Sequence, residues 1–482
     1  MTSAATTTTD RWDAVIIGAG MGGMSAAARL TAAGRRVLLL EKSGHLGGRC
    51  SHRERDGVRV TTGAIMIPMA AHNATREPFD LLGVPLEMIE LTGRMRYRLK
   101  HGDFDQATAG GGLRGLIGFA FNGDEAGAAK LFDAFIAAMK TVPTDEITFR
   151  DWMDRETDNT DVKDLFQGFC AALMGTNLHE IPAGEFFRFM RYSSRGSRFG
   201  MAPAGNGANM EALAAAIEAR GSKVLRHAVC NRIVVEDGRA TGVVVKVAGE
   251  DERFIPAAVV ISNTGPVRTI ELAGGREHFA DPAYLARLDA SPHEAPIFHI
   301  SFLTDKPLIE GFDGCMVFGN TRNLIYLEIP SLISPGVSPP GQVLHTAFGA
   351  PTDAATADLK AELQNTLAEL EANFPGQLAG ARFIVNARHS GQSPGMHRWA
   401  GHMMPVTTPI PNLFNVGDGC TPPGTIGTEG AAGSAREVVR LLEASARQAD
   451  RDKRFAGIVS TDREWTREDL YIRGDGGRGE PG

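Results

Sequence analysis

The sequence predicts an α/β protein with two parts: a Rossmann-type dinucleotide-binding domain and an α+β domain on a mostly antiparallel sheet. Three observations predict it. A short apolar run from Asp13 to Ile17 breaks into Gly18-Ala19-Gly20-Met21-Gly22-Gly23 and then a helix-forming stretch. A second strand, glycine turn and helix start occupies residues 411–444, close to the other end of the chain. Between them, residues 297–390 hold several short apolar strands and one helix, a pattern that suits a separate antiparallel sheet.

The first run is Gly-x-Gly-x-x-Gly, and each glycine has a physical task. Gly18 permits a tight turn out of the strand. Gly20 has no side chain, so a pyrophosphate can come close to the backbone. Gly23 lets the helix lie against the strand. Gly22 falls in the same loop. The helix N-terminus offers unpaired N–H groups and a positive dipole end. A second strand, residues 37–40, then ends in Glu41, 21 positions past Gly20. That matches the roughly 20-residue spacing at which an acid meets a ribose diol.

Composition narrows the class. Apolar residues make up 43% and charged residues 22% of 482, ordinary for a globular chain with a large core. The net charge of −7 argues against nucleic acid as a partner, because phosphate binding needs a basic footprint. The 57 glycines exceed the roughly 7% average and fit a chain whose backbone must approach a ligand. Five widely spaced cysteines without a Cys-x-x-Cys pair read as reduced thiols of a cytoplasmic protein, and no metal site is expected. The first residues lack a cationic start and an apolar core, so they read as a disordered tail. No apolar run reaches the length of a membrane span, which leaves peripheral membrane contact open. The expected partner is a small-molecule substrate; nothing in the sequence sets an oligomeric state.

After Glu41 come Lys42 and then Gly47-Gly48-Arg49, where a second glycine pair keeps backbone near the pyrophosphate and Arg49 can neutralise a phosphate. A strand over residues 57–62 closes on a small-residue turn at Gly63-Ala64. The N-terminal fingerprint, Glu41 and Gly47-Gly48-Arg49 resemble the amine oxidase superfamily of FAD enzymes, most of all its phytoene desaturase-like branch. The family form is Gly-Gly-Arg-x-x-Ser/Thr; here His52 takes the last place. The resemblance implies a cofactor set of Gly18, Gly20, Gly22, Gly23, Glu41, Lys42, Gly48, Arg49, Gly63 and Ala64 from this part of the chain. It covers roughly residues 12–65, 203–270 and 395–445.

Residues 70–200 carry no such fingerprint. Residues 116–140, 164–174 and 185–192 read as helical. In the last, Arg188, Arg191 and Arg195 recur at i, i+3 and i+7 on one face, among phenylalanines. The face is either a solvated basic surface over a Phe-rich core or a clamp for a substrate carboxylate. Residues 203–263 then give a turn, a helix over 209–220, a strand at 223–225, a hairpin over 230–245 and a buried-type strand at 258–263. The resemblance makes this the middle FAD segment, with Cys230 touching adenine through its backbone. A helix from about 352 to 374 carries the Leu359, Leu363, Leu367 and Leu370 stripe, read as core.

In residues 411–430 the resemblance implies that Asp418 bonds ribityl or pyrophosphate oxygens. Gly417, Thr425, Ile426 and Gly427 would lie against the flavin, where a helix dipole favours its anionic reduced form. A helix is expected over 431–444 and a mobile tail over 446–482. The domain expectation is a discontinuous FAD part (12–69, 203–290, 395–445) and a substrate part (70–202, 291–394), with residues 1–11 a tail. No attachment motif is present, so FAD is expected to be non-covalent. The resemblance implies desaturation or dehydrogenation of a C–C bond in a lipophilic or alicyclic substrate. Tyr192 and His397 are the candidate bases for an acidic proton. Arg188 and Arg191 would anchor a carboxylate, and Trp399 would face the substrate. An amine oxidase, a redox-neutral flavin isomerase and an FAD-binding chaperone are the alternatives.

Overall fold

A computed structural model describes residues 11–91, 95–196, 198–290, 294–295, 297–311, 315–351, 358–389, 396–397 and 401–455. Two compact units result, residues 1–438 and 439–482. Everything below concerns the first, apart from the end of the last helix.

Within Trp12–Ile17 and Val37–Leu40, residues 14–17 and 37–40 are continuous apolar runs and all of them are buried. Strands covered on both faces read as continuous apolar runs, which is what a central parallel sheet requires. They pair in parallel, Ala14 opposite Val37 to Ile17 opposite Leu40. The seven-stranded sheet runs Lys223–Leu225, Val37–Leu40, Trp12–Ile17, Arg253–Ser262, Arg239–Val247, Ala228–Glu236, with Leu413–Asn415 also on Arg253–Ser262. Arg253–Ser262 is the pivot. Its later residues pair in parallel with Trp12–Ile17 and Leu413–Asn415, and its earlier ones antiparallel with Arg239–Val247.

The helix Met21–Ala32 is buried from Met21 through Thr31. Its glycines and alanines permit that close packing. Arg29, 5% exposed, is neutralised by Glu77 and also donates to the Ala74 carbonyl. Expected residue 11 of the tail is instead tied down, since Arg11 donates to the Ala257 carbonyl at 3.0 Å.

A second seven-stranded sheet runs Arg382–His389, Ile297–Thr304, Val343–Gly349, Leu324–Glu328, Cys315–Phe318, Met95–Leu99, Gly102–Asp105. Only Cys315–Phe318 with Met95–Leu99 is parallel. Helices Glu125–Lys140, Phe149–Glu156, Thr160–Phe169 and Ala183–Ser193 share one apolar core with it, centred on Phe135, Phe149, Phe166, Phe186 and Phe187. Phe149 and Phe186 stack with ring centroids 3.6 Å apart. After Phe169 the chain widens into a π turn, Cys170–Met174, and stops at Gly175 with φ +64°.

Three boundaries differ from expectation. The helix Ala183–Ser193 ends before Arg195, so that arginine is not on the helix face. The stripe helix is Leu359–Asn373, started by Asp358, whose carboxylate accepts from the Lys360 and Ala361 amides; residues 352–357 lie outside the described residues. The last helix is Gly427–Phe455, beginning four residues before 431 and running through the first part of the expected tail. Glycines 427 and 430 hide that start from propensity, but its first turn is held by tertiary bonds from Glu429.

Candidate functional site

A cavity of about 1540 Å³ extends from the first glycine loop to the antiparallel sheet. At the glycine end, Gly18 turns out of its strand with φ +93°. Gly20 is the N-cap of Met21–Ala32, with no side chain capping that end. The first-turn N–H groups therefore lack intrahelical partners. The Gly47 amide donates to the Ala19 carbonyl at 2.7 Å, drawing the second glycine pair beneath the first loop.

Asn263 is the hub of this region. Its amide donates to the Ile17 carbonyl at 2.8 Å and its side chain to the Gly18 carbonyl at 3.3 Å. A Cβ on Gly20 would lie 2.8 Å from its Nδ2, and one on Gly22 would lie 2.8 Å from both its Oδ1 and the Gly417 nitrogen. A Cβ on Gly23 would overlap the Gly18 carbonyl, which explains why Gly23 packs beneath the loop and does not line the cavity. The sequence reading missed Asn263. Its position directly after a buried strand, the place where ligands meet open sheets, was the available signal.

Glu41 lines the cavity, 8% exposed. One carboxylate oxygen accepts from the Ala19 amide at 2.9 Å; the other accepts from the Ser43 amide and hydroxyl at 2.9 and 2.8 Å. It thus fastens its own loop, and lone pairs remain for further donors. Lys42 and Gly48 line the same wall. Arg49 forms an ion pair with Asp418, joining the two distant glycine motifs. Thr62 donates to the Gly48 carbonyl at 2.7 Å, and the Ala64 amide to the Arg49 carbonyl at 2.8 Å. Gly63 presses on Arg49, where a Cβ would lie 2.9 Å from its backbone oxygen. His52 faces away from this wall: its Nδ1 accepts from the Gly207 amide at 3.2 Å, holding the 205–207 turn. Burial lowers its pKa.

Cys230 lies at the cavity rim on Ala228–Glu236, just before a bulge. Burial pushes its thiol up to about 12. All five cysteines are buried and unpaired. Gly417 and Asp418 line the floor, and the Gly417 amide donates to Ser434 at 2.9 Å. Thr425, Ile426 and Gly427 complete the wall at the start of the last helix. Glu429, in that first turn, also went unforeseen. Its carboxylate accepts from the Ala74 amide at 2.8 Å, from the Thr75 amide and hydroxyl at 3.1 and 3.0 Å, and from the Tyr192 hydroxyl at 2.5 Å.

That bond corrects the expected base. Tyr192 does line the cavity, but its hydroxyl already donates a hydrogen bond to Glu429. Burial first, and the Glu429 carboxylate second, raise the phenol to about 12, so it stays protonated near neutrality. The expected arginine clamp is also corrected. Arg188 donates to Glu185 at 2.9 Å and Asp145 at 2.8 Å and does not line the cavity. Arg191 is exposed on the outside of its helix and does not line it either. The solvated face over a Phe core is the reading that fits. For His397 the structure gives a backbone position, opposite Glu294 in a two-stranded pair. Trp399 lies outside the described residues.

The other end of the cavity is made by side chains. Met66, the π turn residues Ala171–Leu173, Phe189, Ile297 and Ile325 supply apolar surface. His299, Phe348 and Tyr326 form a ring row: His299 stacks on Phe348 at 5.3 Å, and Phe348 meets Tyr326 at 5.8 Å. Tyr326 donates to the buried Glu328. None of these polar residues was foreseen, because they converge from strands whose register no local motif records.

A profile of flavin-containing amine oxidoreductases matches residues 21–442. The chain belongs to that family. Its cofactor is FAD. An uncharacterized protein of Methanocaldococcus jannaschii is 23% identical over 434 residues, 89% of this chain and 98% of that protein. (S)-6-hydroxynicotine oxidase of Paenarthrobacter nicotinovorans is 36% identical over 99 residues, 20% of this chain and 23% of the oxidase. Phytoene desaturase of Fusarium fujikuroi is 44% identical over 81 residues, 16% of this chain and 14% of the desaturase. The chain therefore matches less than a quarter of the length of either enzyme. An oxidoreductase from Methanosarcina mazei has the same fold, with TM-score 0.79 at 23% identity, covering 89% of this chain and 99% of that one.

The glycine end fits the cofactor. Backbone stands bare where a Cβ would obstruct it, an uncapped helix end faces the loop, and an acid lies at ribose distance along the chain. Among the described residues no group of His, Cys, Asp and Glu could hold a metal, and no helix is long and apolar enough to cross a membrane.

Proposed function

We propose that this protein is an FAD-dependent dehydrogenase that desaturates a C–C bond in a largely apolar, alicyclic substrate. The observation that carries the reading is the make-up of the sheet end: apolar walls from Met66, Leu173, Phe189 and Ile325, interrupted by the buried Tyr326–Glu328 pair. Such a pocket takes up an apolar body and orients it through few polar contacts. Partial matches to phytoene desaturases and to a carotenoid 3,4-desaturase of Haloarcula japonica support the reaction class.

In this reading Gly18, Gly20 and Gly22 would hold the pyrophosphate, Glu41 the adenosine ribose, and Cys230 would border adenine. Asp418, Thr425 and Gly427 lie along the ribityl chain and flavin edge. The seven-stranded parallel-centred sheet carries the cofactor part, and the antiparallel sheet carries the substrate part. Bound flavin supplies the hydride acceptor. The chain's own contribution is to press the reacting carbon against that acceptor and to keep water away with Phe189, Ile325 and the π turn. Tyr192, its proton held by Glu429, fixes the Gly427–Gly430 turn against residues 73–75 and moves no proton.

A second reading, amine oxidation, draws support from the His299–Phe348–Tyr326 ring row and from the amine-oxidising relatives. Anaerobic mixing of the yellow protein with a cyclic ketone, a carotenoid precursor and an amine panel separates the two. Bleaching of the flavin by the ketone or the polyene is the expected result. Bleaching by amines alone overturns the desaturase reading, and bleaching by none supports an isomerase or binding role.

A further inference from the structure

At the sheet end, one buried acid keeps an oxygen without a partner. Glu328 closes the Leu324–Glu328 strand, lines the cavity and is 2% exposed. Tyr326, two positions earlier and so on the same face, donates its hydroxyl hydrogen to Glu328 Oε1. Glu328 Oε2 is buried and has no hydrogen-bond partner among the described residues. A buried polar atom left unmatched is destabilising, so the site is completed by what enters the cavity.

The surroundings decide what that is. Across the strands Glu328 faces Cys315 on one side and Thr346 on the other. The titratable groups facing it are Tyr326 and the Cys315 thiol, both with pKa values raised by burial. Cys170, in the π turn packed on this strand, is another buried thiol. Glu362 and Glu369 of the Leu359–Asn373 helix meet the strand at its far end, through Asn323 and Leu324. Asp161, Lys163 and Asp164 of the Thr160–Phe169 helix are engaged elsewhere, with Lys100 and Asp154. Among the described residues no cation is paired with Glu328, and burial pushes its carboxyl up to about 8. A neutral carboxylic acid in an apolar site is a hydrogen-bond donor. An ammonium has no lone pair to accept that proton, whereas a carbonyl or hydroxyl oxygen does.

We propose that Glu328 donates a hydrogen bond from Oε2 to a neutral oxygen, a ketone or alcohol, on the substrate. Tyr326 is the positioning residue: by donating to Oε1 it leaves the acid proton on Oε2. The inference rests on the proposed function for the location of the substrate and extends it to the substrate's polar group.

The test titrates the FAD-loaded protein with cyclohex-2-en-1-one and, separately, cyclohexylamine, following flavin absorbance at about pH 6.5 and about pH 9.5. Wild-type protein should bind the enone about tenfold more weakly at the higher pH, where Glu328 has lost its proton. Glu328→Gln keeps a donor and cannot titrate, so its affinity should stay within about threefold of wild type at the lower pH and be the same at both pH values. Glu328→Leu should be about tenfold weaker throughout. Three results overturn the proposal: no enone binding, an unchanged pH profile in Glu328→Gln, or amine binding that tightens with pH and vanishes in Glu328→Gln. Bleaching is read separately with cyclohexanone, the saturated ketone, because the enone is already the oxidised form. Enone that binds with the expected profile while cyclohexanone never bleaches the flavin removes the desaturase reading for this substrate class and leaves this assignment standing.

Discussion

The glycine end and the sheet end of the cavity differ in what they are made of. At the glycine end the surface is backbone, and its polar groups are tied down: Glu41 binds Ala19 and Ser43, Asn263 binds Ile17 and Gly18, and Arg49 pairs with Asp418. At the sheet end the surface is side chain, and Glu328 keeps one oxygen without a partner among the described residues. A bare backbone with unpartnered first-turn N–H groups selects one large ligand by shape and phosphate chemistry. A sparsely polar side-chain wall selects by the placement of one or two groups, which single substitutions can retune. The contrast teaches why relatives that share the first end can act on different substrates at the second.

The comparison breaks most readily at Gly22. Valine there must displace the Gly417 backbone and Asn263, so Gly22→Val should be isolated without FAD, seen as loss of the flavin absorbance band. A yellow variant would mean that the bare backbone is not the cradle. Asn263→Ala leaves all the glycines in place and removes only the side chain packed among them. FAD affinity should fall by about tenfold in an equilibrium titration, the cost of one hydrogen bond and a small void.

The sheet end is sharpened by pH. Between about 4.5 and about 8 the unfolded chain releases the Glu328 proton while the folded chain keeps it. The unfolded state then binds fewer protons, so stability falls by about 1.4 kcal/mol per pH unit across that window from this group. Glu328→Gln should remove the fall, read as urea midpoints for variant and wild type that converge toward pH 5 and separate in the variant's favour toward pH 8. The smallest effect on the cavity is expected from Arg188→Ala. It leaves Glu185, 1% exposed, with the Gly424 amide as its remaining bond, which should lower stability by about 1–3 kcal/mol. KM should not move; a raised KM for an acidic substrate would restore the arginine clamp.

Much of the glycine end was legible in the sequence because each of its parts is local. Gly18–Gly23 with Glu41, Gly47–Arg49 and Gly417–Asp418 are short runs whose spacing carries their geometry. Asn263 and Glu429 belong to the same region yet were not legible, since their tasks arise only when distant loops meet. The antiparallel sheet was visible as strands, but the order that sets Cys315 and Thr346 on either side of Glu328 was not. Arg188 shows the opposite error. Its helical spacing to Arg191 was right, and its partner Glu185 lies three positions earlier on the same helix, but its second acid partner, Asp145, lies 43 positions earlier and no periodicity within the helix points to it.

The bond from the Ala74 amide to Glu429 spans 355 positions of chain, and the Arg49–Asp418 pair joins the same distant segments. A ribosome releases the first glycine loop long before the last helix exists. On the proposed placement of the flavin, the emerging chain carries half a grip on it for most of its synthesis. Cofactor capture becomes the closing event of folding, and a polypeptide cut short before residue 418 should leave the ribosome colourless however well its first sheet has formed.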